Sequence, residues 1–263
     1  MSVGFLPDML GVGHGQATSA SETTSMTSGR SAIHDRYVGG EYLEKHSTWH
    51  VQDSVWKGDQ VLAMLHRHGI APRTVSEVGC GAGAILRHLH DNLDRDVTYV
   101  GYEISPQAYE LCQSRTTERL RFELGNFHGD SEPCFDLILI MDLVEHVEDY
   151  FGLLKTVQRR GGHSIFHVPL DLSVRKAISA SQFLESRSTD GHIHYFNKDT
   201  ALATLEDAGF TVLDWFYTPT LDLWNTTNLR SRLSRAHRKA LFRVNEDLAV
   251  RVWGGWSLLA LAR

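Results

Sequence analysis

The segment that most constrains this chain is Glu77-Val-Gly-Cys-Gly-Ala-Gly83, where three alternate glycines separate a short β-type run from an amphipathic one. Glycines at such a junction let the backbone turn tightly and let a ligand approach it closely. A helix starting just behind them offers unpaired N–H groups and the positive end of its dipole. Strand, glycine loop and helix in that order set up a parallel α/β sheet.

The remaining sequence repeats the alternation. Strands are expected at Val75–Val78, Val97–Val100, Leu120–Leu124, Phe135–Ile140, Ser164–Val168 and Phe210–Tyr217. Helices are expected at Ala84–Leu93, Pro106–Arg119, Val147–Gln158 and Lys198–Asp207. Phe135 to Ile140 is nearly all apolar, as a strand buried on both faces should be. Pro106 suits a first helical turn, and Gly209 ends the last helix. Strands separated by helices imply a parallel sheet covered on both faces. The final run, Trp256 to Ala262, reads as one more strand, closing the sheet edge.

Four further parts are expected around a cofactor-binding core at 74–218. Residues 1–30 are rich in Gly, Ser and Thr and read as a disordered tail. Residues 31–73 form a helical lead-in, with Ser54 to His68 at helical spacing and Gly69 as its stop. Its aromatics Tyr37, Tyr42, Trp49 and Trp56 suit either a core or a lid that excludes water. Residues 219–252 read as a basic helical insertion carrying Arg230, Arg232, Arg235, Arg238, Lys239, Arg243 and Arg251. Such a run is either a solvated face or a patch for an anionic or carrier-bound acceptor. Residues 253–263 hold the closing strand.

Composition removes other classes. No apolar run approaches the ~20 residues of a membrane helix. A net charge of −6 argues against nucleic acid as a partner. The three cysteines, Cys80, Cys112 and Cys134, form no CxxC pair, which fits neither a disulfide framework nor a zinc ribbon. With no secretion signal, a reducing cytoplasm is the expected location.

Glu103 lies at the end of the second strand, where a carboxylate can accept both hydroxyls of an adenosine ribose. The glycine loop alone leaves alternatives open. Gly79-Cys-Gly81-Ala-Gly-Ala84 also satisfies the dinucleotide form G-x-G-x-x-G/A, and an ordinary strand-to-helix turn would use similar residues. The acid two residues before Gly79, the i, i+2, i+4 glycine spacing and the helical lead-in point away from NAD.

Together with four later motifs, the loop resembles the class I S-adenosylmethionine-dependent methyltransferases, in particular the branch of the ubiquinone-biosynthesis O-methyltransferases. These motifs are Gly101-Tyr-Glu103-Ile-Ser105, Gly125-Asn126-Phe127, Phe135-Asp-Leu-Ile-Leu-Ile-Met-Asp142-Leu-Val-Glu145-His146-Val147, and the pair Gly191-His192-Ile-His-Tyr-Phe196 with Ala208-Gly-Phe210. The resemblance spans about residues 37–217 plus the closing strand. It implies a Rossmann-like, doubly wound, mostly parallel seven-stranded sheet with an antiparallel closing strand. It also implies S-adenosyl-L-methionine as cofactor, with Gly79, Cys80 and Gly81 beside its methionine part and Glu77 at its ammonium. Glu103 would take the ribose hydroxyls and Ile104 would lie against the adenine. Asn126, where many relatives carry Asp, would meet the adenine amino edge and Phe127 N–H a ring nitrogen. Met141 and Asp142 would flank the transferred methyl.

The reaction so implied is in-line displacement onto a small-molecule acceptor, more readily a hydroxyl oxygen, with a base assisting deprotonation. Among 15 histidines, His192 and His194 in the loop after the fifth strand and His167 at that strand's end are candidates, with Asp142 beside them. His192 and His194 would point the same way in an extended segment. His146 is expected to pack or hydrogen-bond, and His167 would equally suit a hydrogen-bonded core histidine. A metal held by His192, His194 and His167 lacks a ligand set fixed by spacing, so none is expected. The alternatives are a non-catalytic cofactor-binding scaffold, an N-methyltransferase and a metal-assisted enzyme.

Overall fold

A computed structural model describes residues 32–39, 51–127, 134–220 and 229–263. The expected tail at 1–30 and the aromatics Tyr42 and Trp49 lie outside the described residues. The strands are β1 (Thr74–Val78), β2 (Thr98–Glu103), β3 (Leu120–Leu124), β4 (Phe135–Met141), β5 (Gly161–Pro169), β6 (Val212–Thr218) and β7 (Ser257–Ala262). The described helices are α1 (Ala32–Val38), α2 (Val51–His68), α3 (Ala84–Asn92), α4 (Pro106–Gln113), α5 (Tyr150–Arg160), α6 (Val174–Ile178), α7 (Ala180–Thr189), α8 (Lys198–Asp207), α9 (Leu229–Val244) and α10 (Glu246–Trp253).

The strands form one sheet in the order β3-β2-β1-β4-β5-β7-β6. β1 to β5 pair in parallel, and β7 pairs antiparallel with both β5 and β6. This is the expected Rossmann-like α/β sheet, with one correction. β7 lies between β5 and β6, so β6 forms the edge. The reason is burial: every residue of Ser257–Ala262 is buried, which an interior strand allows, whereas β6 is only partly covered.

The pleat sends alternate residues to two cores. Leu137, Leu139 and Met141 of β4 join Val61, Met64 and Leu65 of α2 and Ile85, Leu86 and Leu89 of α3. Ile138 and Ile140 join Leu154 and Val157 of α5, Leu205 of α8 and Val250 of α10. Two of the helix boundaries that differ from the sequence expectation have a visible cause. α4 ends at Gln113, because the Thr117 hydroxyl accepts the Arg119 and Leu120 N–H groups and starts β3 instead. α5 begins at Tyr150, because the Asp149 side chain accepts the Gly152 N–H and caps it there. Val144–His146 before it form a single 3-10 turn.

The sheet order reverses direction at β1, with β2 on one side and β4 on the other. In open α/β sheets the crevice beyond the strand ends at such a switch point is where ligands bind. No helix among the described residues is long and apolar enough to cross a membrane.

Candidate active site

The first wall of the crevice is the loop after β1. Gly79, Gly81 and Gly83 have φ of +69°, +54° and +73°. At Gly79 a Cβ would stand 2.8 Å from Leu143 Cδ1, so only glycine fits without displacing that side chain. The Gly79 and Cys80 N–H groups donate to the Tyr102 carbonyl, tying the loop to β2. Gly81 N–H donates to Glu103 Oε2 and Ser105 N–H to Glu103 Oε1, both at 2.8 Å. The Glu103 carboxylate is therefore fixed in orientation, and burial pushes it up to about 7 against those N–H bonds.

Glu77 is 1% exposed. It receives the Leu86 N–H from the first turn of α3. Its Oε2 has no hydrogen-bond partner. Burial raises it to about 8, the Lys57 charge opposing and the Glu103 charge adding. Beyond β2, Ile104 is partly buried and Asn126 exposed. Phe127 is buried, with Tyr102 edge-on and the Arg160 guanidinium 4.3 Å from its ring centre. Burial also raises the Cys80 thiol.

The second wall is the end of β4. Met141 is buried, and Asp142 has φ +51°, the one non-glycine residue with positive φ among the described residues. That bend aims its carboxylate at two partners. Lys57 Nζ lies 2.7 Å from Oδ2 and His167 Nδ1 lies 2.6 Å from Oδ1. Lys57 also pairs with Asp53 at 3.0 Å, and His167 Nε2 meets the Thr218 hydroxyl at 2.8 Å. The Trp56 ring packs edge-on against His167. Burial works against both charges, yet His167 and Lys57 hold Asp142 well below the usual carboxylate range. Asp142 and Asp53 in turn hold Lys57 above its usual value.

The third wall is the 3-10 turn after β4 together with the loop after α7. Glu145 is 1% exposed, and neither carboxylate oxygen has a hydrogen-bond partner. Burial raises it to about 8, the Asp142 charge adding and His192 opposing. His146 Nδ1 meets the Tyr37 hydroxyl at 2.9 Å, and its Nε2 lies 3.8 Å from Glu145 Oε1. His192 Nδ1 meets Asp171 Oδ2 at 2.6 Å, and Lys176 Nζ holds the other Asp171 oxygen at 2.5 Å. Burial lowers His192, but the Asp171 hydrogen bond and the Glu145 charge carry it up to about 8. The His146 and His192 rings are 4.9 Å apart. His194 turns elsewhere: its Nε2 meets the Val147 carbonyl at 3.0 Å and its ring packs on Tyr150. The loop is irregular, so strand alternation does not govern it, and His192 and His194 have different partners.

Residues 50–214 match the family model described as a methyltransferase domain. The chain is a class I S-adenosylmethionine-dependent methyltransferase. No curated protein matches the sequence of this methyltransferase. Its fold is similar to that of a Haloferax volcanii protein solved in complex with the Trm112 methyltransferase activator. That pair has 18% identity and a TM-score of 0.60, covering 88% of this chain and 96% of the other. It is also similar to the magnesium protoporphyrin IX methyltransferase of Synechocystis, solved with S-adenosylhomocysteine. There the identity is 14% and the TM-score 0.52, covering 80% of this chain and 82% of the other. The cyclopropane synthase MmaA2 of Mycobacterium tuberculosis, at 18% identity and TM-score 0.52, covers 73% of this chain and 78% of itself.

The donor set fits this cofactor. A buried acid with one unpartnered oxygen suits an ammonium, and a carboxylate pinned by two N–H groups suits a pair of hydroxyls. The tertiary structure adds residues that the motifs did not reveal: Lys57, Asp53, Asp171 and Thr218. Lys57 had a signal. It falls on the helical stripe of Ser54, Gly58, Val61 and Leu65, where a lysine is out of place unless paired. Asp171, just past β5, had none.

Proposed function

We propose that this methyltransferase acts on a hydroxyl oxygen of a small-molecule acceptor held between Asp142 and the Glu145–His146–His192 wall. The observation that carries the reading is the Asp142 carboxylate, half-buried and pinned by Lys57 and His167 at the strand end. An ionised carboxylate so held accepts a hydrogen bond from an acceptor O–H and fixes its direction of approach. Its lowered pKa makes it a poor proton acceptor, so the proton is drawn off at the third wall. His167, with both ring nitrogens engaged, acts as a positioning residue for Asp142.

The bound cofactor supplies a sulfonium methyl, already activated for displacement. Toward it we assign Glu77 to the ammonium, Gly79, Cys80 and Gly81 to the methionine part, and Glu103 to the ribose hydroxyls. Ile104, Asn126 and Phe127 are assigned to the adenine, and Met141 and Asp142 to the neighbourhood of the methyl. We assign the part at 31–73 a lid role, supported among its described residues by Tyr37, Trp56 and Lys57, which reach His146, His167 and Asp142. The part at 219–252 is read as an insertion. Within it Arg238 lies over the Trp256 ring and Arg251 pairs with Asp199.

The test is turnover of radiolabelled cofactor with a panel of small hydroxyl and amine acceptors. Label in ether or ester products, reduced about 100-fold in Asp142→Asn through lost positioning of the acceptor, is expected. Label in amine products alone overturns the oxygen assignment.

A further inference from the structure

One chain of polar side chains runs through the second wall from α2 to β7. Asp53 and Lys57 come from α2, Asp142 from just past β4, His167 from β5 and Thr218 from the end of β6. Asp53 Oδ2 lies 3.0 Å from Lys57 Nζ, which lies 2.7 Å from Asp142 Oδ2. Asp142 Oδ1 lies 2.6 Å from His167 Nδ1, and His167 Nε2 lies 2.8 Å from Thr218 Oγ1. The chain ends where the Thr218 hydroxyl donates to the Ser257 carbonyl at 3.2 Å. His167 and Thr218 are fully buried. The register of α2 delivers Lys57 to this chain. Beside it, Gly58 packs so closely on α3 that a Cβ would stand 2.5 Å from the His88 ring, and His88 Nε2 meets Asp59 at 2.8 Å.

The hydrogens along the chain can be counted from its ends. A carbonyl oxygen only accepts, and a hydroxyl has one hydrogen to give. With that hydrogen on Ser257, Thr218 Oγ1 is an acceptor for His167 Nε2. An ionised carboxylate also only accepts, so Asp142 takes a hydrogen from Nδ1. At 2.6 Å that contact is as short as a charge-assisted bond. Charge gives the same answer by a separate route. Asp53 and Asp142 bring two negative charges against the single positive charge of Lys57. A cationic His167 makes the group neutral, and buried charges are tolerated when paired in this way. The other neighbours of the ring bring no charge: Trp56 packs edge-on, and Met141 and Leu259 are its strand partners.

We infer that Thr218 is a positioning residue: by accepting from Nε2 it keeps hydrogen on both ring nitrogens of His167, and the imidazolium so formed fixes the Asp142 carboxylate toward the methyl acceptor. With an apolar side chain at position 218, Nε2 has nothing to donate to, and its proton leaves as pH rises. The His167 bond to Asp142 then drops from a charge-assisted one to a neutral one, about half as strong. The hydrogen assignment stands on the geometry alone. The effect on turnover rests on the proposed oxygen acceptor.

The experiment is nitrogen NMR of the imidazole rings in the isotope-labelled full chain, with the His167 signals assigned by their loss in His167→Gln. Both His167 nitrogens are expected to carry hydrogen from about pH 6 to 8 in wild type and in Thr218→Ser. In Thr218→Val, Nε2 should lose its hydrogen within that range. Titration with S-adenosylhomocysteine reports whether each variant keeps its fold and cofactor site. Turnover of a hydroxyl acceptor at saturating cofactor is then taken as a ratio to wild type, which cancels the groups common to both. The Thr218→Val ratio should fall as pH rises, by up to about tenfold per unit, and Thr218→Ser should restore a level ratio. A wild-type His167 with one bare ring nitrogen at about pH 7 overturns the assignment, and that reading needs no variant to fold. A Thr218→Val protein that loses the proton and keeps a level ratio overturns the part of Thr218 in the reaction and leaves the hydrogen assignment standing. Label in amine products alone overturns the acceptor reading and leaves the NMR result standing.

Discussion

Asp142 and Glu145 are three residues apart at the end of one strand, and their surroundings are opposite. Asp142 has a lysine at 2.7 Å and a histidine at 2.6 Å, so its charge is balanced inside the protein. Glu145 is more deeply buried and has no hydrogen-bond partner on either oxygen. A balanced buried charge works as a fixed part, because removing either partner strands the other. A buried carboxyl without hydrogen-bond partners is a standing cost that a bound ligand can relieve. The same contrast runs through the cofactor side, where Glu103 is pinned by N–H donors and Glu77 keeps one oxygen unpaired.

The sharpest way to break the comparison is to remove a partner from each side. Lys57→Met strands Asp142 and Asp53 and should cost about 3–5 kcal/mol of unfolding free energy in urea titrations. Glu145→Gln should leave stability unchanged or raised, while turnover is lost. Equal losses of stability in the two variants would remove the distinction. Next in size is Asp142→Asn. Asparagine tolerates the positive φ, so the fold should hold while turnover falls about 100-fold. A larger loss of stability than of turnover would make Asp142 structural only.

pH sharpens the cofactor side. Glu77 and Glu103 titrate near 8 and 7 in the folded protein, from an ordinary value of 4.5. The folded state therefore holds more protons between about pH 4.5 and 8, and stability without cofactor should fall as pH rises through that window. Partners for the ammonium and the hydroxyls are best as carboxylates, so affinity for S-adenosylhomocysteine should rise over pH 6–8. Each group contributes a slope of up to about tenfold per unit. Glu103→Gln should flatten the lower part of that rise in calorimetric titrations, and an unchanged slope would remove Glu103 from the site. The smallest effect is expected at Arg251→Ala. Its pairing with Asp199 is more than half exposed on both sides, so thermal unfolding should change by less than about 1 kcal/mol.

The strands were the most legible part. β3 matches its expected bounds, and the others differ by only a few residues, because apolar runs flanked by glycine or proline leave little choice. Helix ends were harder to read, since Asp149 and Thr117 decide them through single side-chain bonds to the backbone. The position of β7 was misread, although its unbroken burial is visible as an unbroken apolar run. Among the site residues, those within a motif could be named from spacing. Those that complete the network come from α2, from the segment after β5 and from the end of β6, far away in sequence.

The sequence by itself determined the alternation of strands and helices, the glycine loop and the acids at the strand ends, because these depend on local periodicity and turn chemistry. The tertiary structure decided which acid is balanced and which is not. That depends on Lys57, His167 and Asp171 arriving from other elements, and no local pattern encodes their approach. Charge balance in a protein interior is set by neighbours within a few ångströms, and only the folded sheet determines who those neighbours are.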